Sequence, residues 1–179
     1  MKKFFFCIVL FILFSTAFCF EQESYNEILG KRNVITRFQD YNLPNIQGNY
    51  ISYTNRIRAF TIDDRTVFFY QVMRETDKII TTITLSEKEL ADTLTKMNVL
   101  NSSFILDKEK KADYIENKIV TETGVEIGYF ASAVSSGWFI DFNEGRTSKL
   151  IILYQDNELF NALQIAAKKI IELSIKGVQ

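Results

Sequence analysis

The chain has 179 residues and no histidine. That absence excludes a Ser-His-Asp triad, a Cys-His pair and any His-ligated zinc site. Cysteine is nearly absent too: the two present, Cys7 and Cys19, lie in or beside the apolar N-terminal run. Beyond that run there is no thiol for nucleophilic chemistry and no disulfide to staple a small fold. Glycine is scarce, at seven residues, and neither G-x-G-x-x-G nor G-x-x-x-x-G-K-[ST] occurs. The standard nucleotide cradles are therefore missing, and no cofactor is implied. Proline occurs once, at Pro44.

A single-signed charge block is also lacking. Lys and Arg number 21 against 22 Asp and Glu, for a net charge of −1. Loss of Lys2 and Lys3 with a leader would take this to −3. A mildly acidic chain without a basic run has no electrostatic footprint for nucleic acid.

What is present begins with that leader. Lys2-Lys3 precede an unbroken apolar run from Phe4 to Phe14, followed by Ser15-Thr16-Ala17. This is the order of a secretory signal peptide: basic start, apolar centre, small-residue cleavage site. Residues 1–19 are read as that peptide, cut after Ala17 or after Cys19. Lipidation at Cys19 is disfavoured by the bulky Phe18 before it. A retained anchor is disfavoured because Ser15 and Thr16 interrupt a stretch already short of the roughly 20 apolar residues a spanning helix needs. The expected location is secreted or periplasmic, with membrane contact only during export.

Roughly 160 residues remain, enough for one core that buries about 70% of the unfolded chain's surface. Residues 20–45 are polar and mixed and read as a lead-in closed by a loop at Pro44. From there the pattern is strand-like. Tyr50–Thr54 and Ile57–Ile62 read as a hairpin turning near Thr54-Asn55. Asp63-Asp64-Arg65 is a turn, Val67–Met73 a strand, Arg74–Asp77 a turn, and Ile79–Leu85 an alternating strand. Ser86 with Glu89 has capping-box spacing, and Leu90, Leu94 and Met97 share one helical face.

The charged run 107–113 reads as a solvated connector. Tyr114–Thr121, Val125–Ala131, Trp138–Phe142 and Lys149–Tyr154 follow as strands. A closing helix carries Leu159, Leu163, Ala166, Ile170 and Leu173 on one stripe. Val67–Met73 and Lys149–Tyr154 are apolar on both faces and read as central strands. The matches Ile83/Ile152, Glu89/Glu158, Leu90/Leu159 and Leu94/Leu163 suggest a weak internal repeat of 46–106 and 113–175. The fold expected is α+β, a single domain over 46–179. Its mainly antiparallel sheet has about seven to eight strands in two meanders, each ending in a helix. The helices lie on one face, giving two layers.

Candidate site residues are few. Asp63-Asp64 and Glu75/Asp77 sit in turns, where Asp satisfies local backbone groups. Asp141, in Trp138-Phe139-Ile140-Asp141-Phe142, shares a strand face with Phe139 and reads as an exposed edge acid. All three acidic pairs could in principle serve a carboxylate-dependent glycan hydrolase, and Asp141, with Glu144 or another acid, is the centre on which that reading rests. Asp141-x-Asn143-x-Gly145 fails the calcium-loop pattern, so no metal site is expected. Asn101-Ser102-Ser103 is a glycosylation sequon that matters only in a eukaryotic secretory pathway, and the leader reads as bacterial. Arg56 and Arg58 share a strand face and suit a carboxylate or phosphate.

The aromatic content is the last signal. Two helices cover one face of a sheet, so the lead-in, sheet curvature or a ligand must deal with the other. Tyr50, Tyr70, Tyr129 and Trp138 are candidate anchors on an open face. The function expected is an exported, non-catalytic binding or interaction module of the bacterial cell envelope or periplasm, with an unknown protein or glycan as partner. A small inhibitor or immunity-type protein is the alternative from a second class, and the glycan hydrolase that from a third.

Overall fold

A computed structural model describes residues 24–48, 52–75, 80–110, 112–142, 151–153 and 158–177. The leader, Tyr50 and Glu144 lie outside the described residues. The described chain opens with a short helix, α1 (Tyr25–Gly30), and then β1 (Thr36–Gln47), β2 (Ser52–Ile62), β3 (Arg65–Glu75) and β4 (Ile80–Ser86). Helix α2 (Glu87–Lys108) follows, then β5 (Ile115–Val120), β6 (Val125–Ala131), β7 (Ser136–Phe142), β8 (Ile151–Leu153) and α3 (Glu158–Lys176).

The α+β class and antiparallel pairing are as expected, but the single sheet is not. The strands form two four-stranded sheets, ordered β1-β2-β3-β4 and β5-β6-β7-β8. Each is a meander, and each is followed by a long helix. Interruption by α2 lets the chain start a second sheet rather than extend the first. One core joins both sheets to both long helices. Ile57, Tyr70 and Leu85 from the first sheet and Ile127, Tyr129 and Ile140 from the second belong to it. Leu90, Met97, Leu163 and Ile170 of the helices complete it.

The lead-in is not closed by a loop at Pro44: its described residues run on into a strand. Its first part is α1, capped by Ser24, whose hydroxyl accepts from Glu27 N while Glu27 accepts from Ser24 N. Its second part is β1, paired to β2 from Thr36↔Ile62 to Gln47↔Ser52. Pro44 falls where the register shifts between Leu43 and Ile46. An edge strand tolerates proline at such a bulge, because no ladder N–H is required there. The expected turn at Thr54-Asn55 does not exist either. Both residues lie inside β2, and Asn55 is buried. Its Nδ2 donates to Pro44 O at 2.7 Å, supplying the donor that the bulge leaves missing.

Two turns fall as read, whereas Arg74 and Glu75, expected in a turn, end β3, and Thr76 and Asp77 lie outside the described residues. Asp63, with φ +51°, occupies a left-handed conformation that Asp tolerates, in the two-residue link between β2 and β3. Gly124, with φ +85°, serves the β5–β6 turn. β3 is interior to its sheet and buried along Phe68–Val72. β8, also expected as central, is the last strand of its sheet among the described residues, with Leu153 facing the core.

The two long helices pack on the core face. On the opposite face of the first sheet the described residues place a helix at one end. There α1 sets Ile28 against Phe60 and Phe69. Tyr25 meets the same rings edge-on, at 5.4 and 5.3 Å between centroids. Among the described residues no helix is long and apolar enough to cross a membrane.

Candidate functional site

Beside α1 no further described helix covers the outward face of the first sheet. Strand register explains what it displays. Asn42 pairs with Arg56, Arg56 with Gln71, and Gln71 with Thr84, a straight polar row across all four strands. The adjacent row begins Asp40–Arg58. Alternation along β2 turns Ile57 and Ala59 into the core and puts Arg56 and Arg58 outside together.

Arg58 grips Asp40 with two parallel hydrogen bonds. Its Nε donates to Oδ1 and its Nη2 to Oδ2, both at 2.7 Å. Its Nη1 donates to the Tyr25 hydroxyl at 3.2 Å, and its guanidinium lies 4.9 Å from the Phe38 ring centre. Arg56 Nη1 stands 2.8 Å from Asp40 Oδ2, and its Nε donates to Gln71 Oε1 at 2.9 Å. Gln71, buried, passes the row on by donating to Thr84 Oγ1 at 3.2 Å.

The charges are unevenly matched. The hydrogen bonds from Arg58 hold the Asp40 carboxyl below its usual range, and the bonds to Asp40 push the Arg58 guanidinium up. Arg56 is pulled down by burial and by Arg58 beside it, against the attraction of Asp40. One carboxylate thus serves two guanidiniums, and Arg56 is the less neutralised of the two. Asp40, held ionised by both, is poorly placed to exchange protons near neutral pH. The arrangement is suited to binding an anion.

A cavity of about 310 Å³ opens on this row. Arg56, Arg58, Gln71, Thr82 and Thr84 of the first sheet line it, together with Tyr25 of α1 and Thr123 of the β5–β6 turn. Its volume is at the small end of the range for ligand pockets. A second cavity, of about 430 Å³, lies around the β2–β3 turn at Asp63-Asp64.

Of the residues singled out in the sequence, Arg56 and Arg58 are brought together here. The aromatic candidates are not. Tyr70, Tyr129 and Trp138 are 1%, 0% and 3% exposed and face the helices. Trp138, Tyr129 and Phe104 form one ring cluster, with centroids 5.0–5.4 Å apart. The physical reason is that the helices need large partners: Tyr129 and Trp138 of the second sheet pack on Phe104 of α2. Tyr50 lies outside the described residues.

Asp141 is not an exposed edge acid either. It is buried, in the second sheet, directly opposite Glu126, whose carboxylate meets Lys118 Nζ at 2.8 Å. It lines neither cavity. Asp107, read as part of a solvated connector, is buried at the end of α2. It accepts from the Tyr129 hydroxyl at 2.6 Å, from Asn117 Nδ2 at 3.0 Å and from Lys110 Nζ at 2.6 Å. Burial, with the bond to Asp107, pushes the Tyr129 phenol up to about 12.

Asp40, Tyr25 and Thr84 escape a sequence reading because their partners are distant in the chain. Gln71 does leave a trace, as the one strongly polar residue in Val67–Met73. Among the described residues no group of His, Cys, Asp and Glu is arranged to hold a metal ion. No protein-family model matches the chain, and neither does any curated protein or solved structure.

Proposed function

We propose that the chain is an exported, non-catalytic binding module of the bacterial cell envelope or periplasm. Its contact surface is the outward face of the first sheet. The observation that supports this reading is the Asn42–Arg56–Gln71–Thr84 row with its open cavity, where two guanidiniums share one carboxylate. Packing does not require two partly buried arginines on the sheet face beside α1. A surface selected for packing alone would carry apolar or small residues there. Export rests on the order of residues 1–19, and the partner is a protein or glycan of the envelope.

The experiment has two readouts. Mass spectrometry of the native protein should find the N-terminus at Phe18 or Phe20; an intact Met1 on a membrane-bound form would overturn export. Cosedimentation with isolated envelope material should be retained by the natural chain and lost in Arg56→Gln. Equal retention of both would remove this face as the contact surface.

A further inference from the structure

Two hydrogen-bond relays end in the cavity beside α1. One runs from Arg58 Nη1 to the Tyr25 hydroxyl. The other runs from Arg56 Nε through Gln71 to the Thr84 hydroxyl. In each relay the hydroxyl oxygen is the acceptor, so its own proton remains to be donated. Neither proton meets an acceptor among the described residues. The bonds Arg56 does make use Nε and Nη1. The cavity therefore offers converging donors: Arg56, the Tyr25 O–H and the Thr84 O–H.

Converging donors around an incompletely neutralised guanidinium suit an oxyanion. Among the described residues two guanidiniums share the single Asp40 carboxylate, leaving one positive charge that a monoanion neutralises. A phosphate dianion would leave an excess negative charge in a partly enclosed site. The remaining wall is hydroxyl and amide: Ser24, Asn26, Thr82 and Thr123. Among the described residues no aliphatic side chain lines it, so the side chains of a peptide would find no apolar contact there. A sugar ring, by contrast, presents hydroxyls at its edge, which hydroxyl and amide side chains can match.

The geometry points to an acidic sugar of the uronate class as the ligand, its carboxylate on Arg56, Tyr25 and Thr84 and its ring hydroxyls toward Asn26, Thr82 and Thr123. This rests on the binding-module reading and specifies its ligand. The cavity's size suits one sugar unit, at the end of a glycan or as a side branch, rather than a length of chain.

Isothermal titration of the purified chain with D-glucuronate, D-glucose and inorganic phosphate tests it. D-Glucuronate should bind saturably, about tenfold or more tighter than D-glucose, because the carboxylate makes the charged hydrogen bonds. Arg56→Gln should weaken D-glucuronate about tenfold or more, and Thr84→Val about threefold to tenfold, at unchanged melting temperature. Thr84→Val removes one hydroxyl with little change of shape, so it remains informative if Arg56→Gln fails to fold. Equal affinity for glucose and glucuronate, tighter binding of phosphate, or full affinity in Thr84→Val would each overturn the assignment. The two readings fail separately. Arg56-dependent binding to envelope material without glucuronate binding would remove the acidic sugar and keep the binding module. Loss of both would remove the module as well.

Discussion

Thr123 donates twice to one oxygen of Glu89, from its backbone N at 2.9 Å and from its hydroxyl at 2.7 Å. The other oxygen of Glu89 accepts from Ser86 N at 2.9 Å, and Ser86 Oγ accepts from Glu89 N at 3.2 Å. A single carboxylate therefore completes the cap of α2 and anchors the β5–β6 turn of the second sheet. The cap is local in sequence, whereas the anchor joins residues 34 positions apart.

Ser86→Ala should cost about 0.5–2 kcal/mol, as an N-cap loss. Glu89→Ala should cost more, about 2–4 kcal/mol, because donors at both Ser86 and Thr123 lose a charged acceptor. A double-mutant cycle between Glu89→Ala and Thr123→Val, read by urea denaturation, should give a coupling of about 0.5–3 kcal/mol. Strict additivity would mean that the cap and the turn are independent.

Acid should destabilise the fold through the same group. Burial pushes Glu89 up, but the hydrogen bonds from Ser86 and Thr123 outweigh it and hold its carboxyl below the usual range. Asp107 is lowered by Lys110, Tyr129 and Asn117, and Asp40 by Arg58. Carboxyls lowered by folding contribute stability that is complete above their unfolded values, about 4, and lost as pH falls through the folded ones. Tyr129, raised to about 12, acts at the other end: the unfolded phenol ionises first, so stability should fall between about pH 10 and 12. Urea midpoints should be flat from about pH 5 to 9 and decline on both sides. A decline beginning near pH 7 would point to a different titrating group.

Gly128 sits where β5 and β6 approach closely. A methyl group there would meet Asn117 O at 2.2 Å and Lys118 Cα at 2.7 Å, both backbone. Gly128→Ala should therefore cost about 1–3 kcal/mol or more, since the strand itself must move. Gly124→Ala makes a useful contrast, because its Cβ meets open space and only the positive φ opposes it. Thermal melts of the two should show Gly128→Ala as the more damaging. The reverse order would place the β5–β6 pairing further apart.

Tyr70 is fully buried with no partner for its hydroxyl among the described residues, and burial pushes its phenol above the usual range. Tyr70→Phe removes that polar atom and keeps the ring. Stability should be unchanged or rise by about 1 kcal/mol, because no hydrogen bond is lost. A loss above about 1 kcal/mol in urea denaturation would reveal a bond to the hydroxyl.

Sequence patterning reached the meander-then-helix order of both halves and the Ser86-Glu89 cap. It also reached the outward placing of Arg56 with Arg58. These depend on neighbours within a few positions, where alternation, helical spacing and capping chemistry act directly. The strand count was legible only by compensation. β1 was hidden by Pro44, and β2 was divided at Asn55, yet those two loop-forming residues satisfy each other across the bulge. Each is a turn signal alone, and only their pairing makes both compatible with a strand.

The sequence by itself determined which residue types the chain has for chemistry, and so excluded histidine-dependent catalysis. It also set which strand positions alternate and where the helices begin. Tertiary structure alone decided the division into two sheets, the burial of Tyr70, Tyr129 and Trp138, and the meeting of Tyr25 and Asp40 with Arg58. The physical reason is range. Alternation says which side chains share a face, but not which face the helices will cover. That choice follows from the total apolar surface that two sheets and two helices can bury together, to which every segment contributes at once.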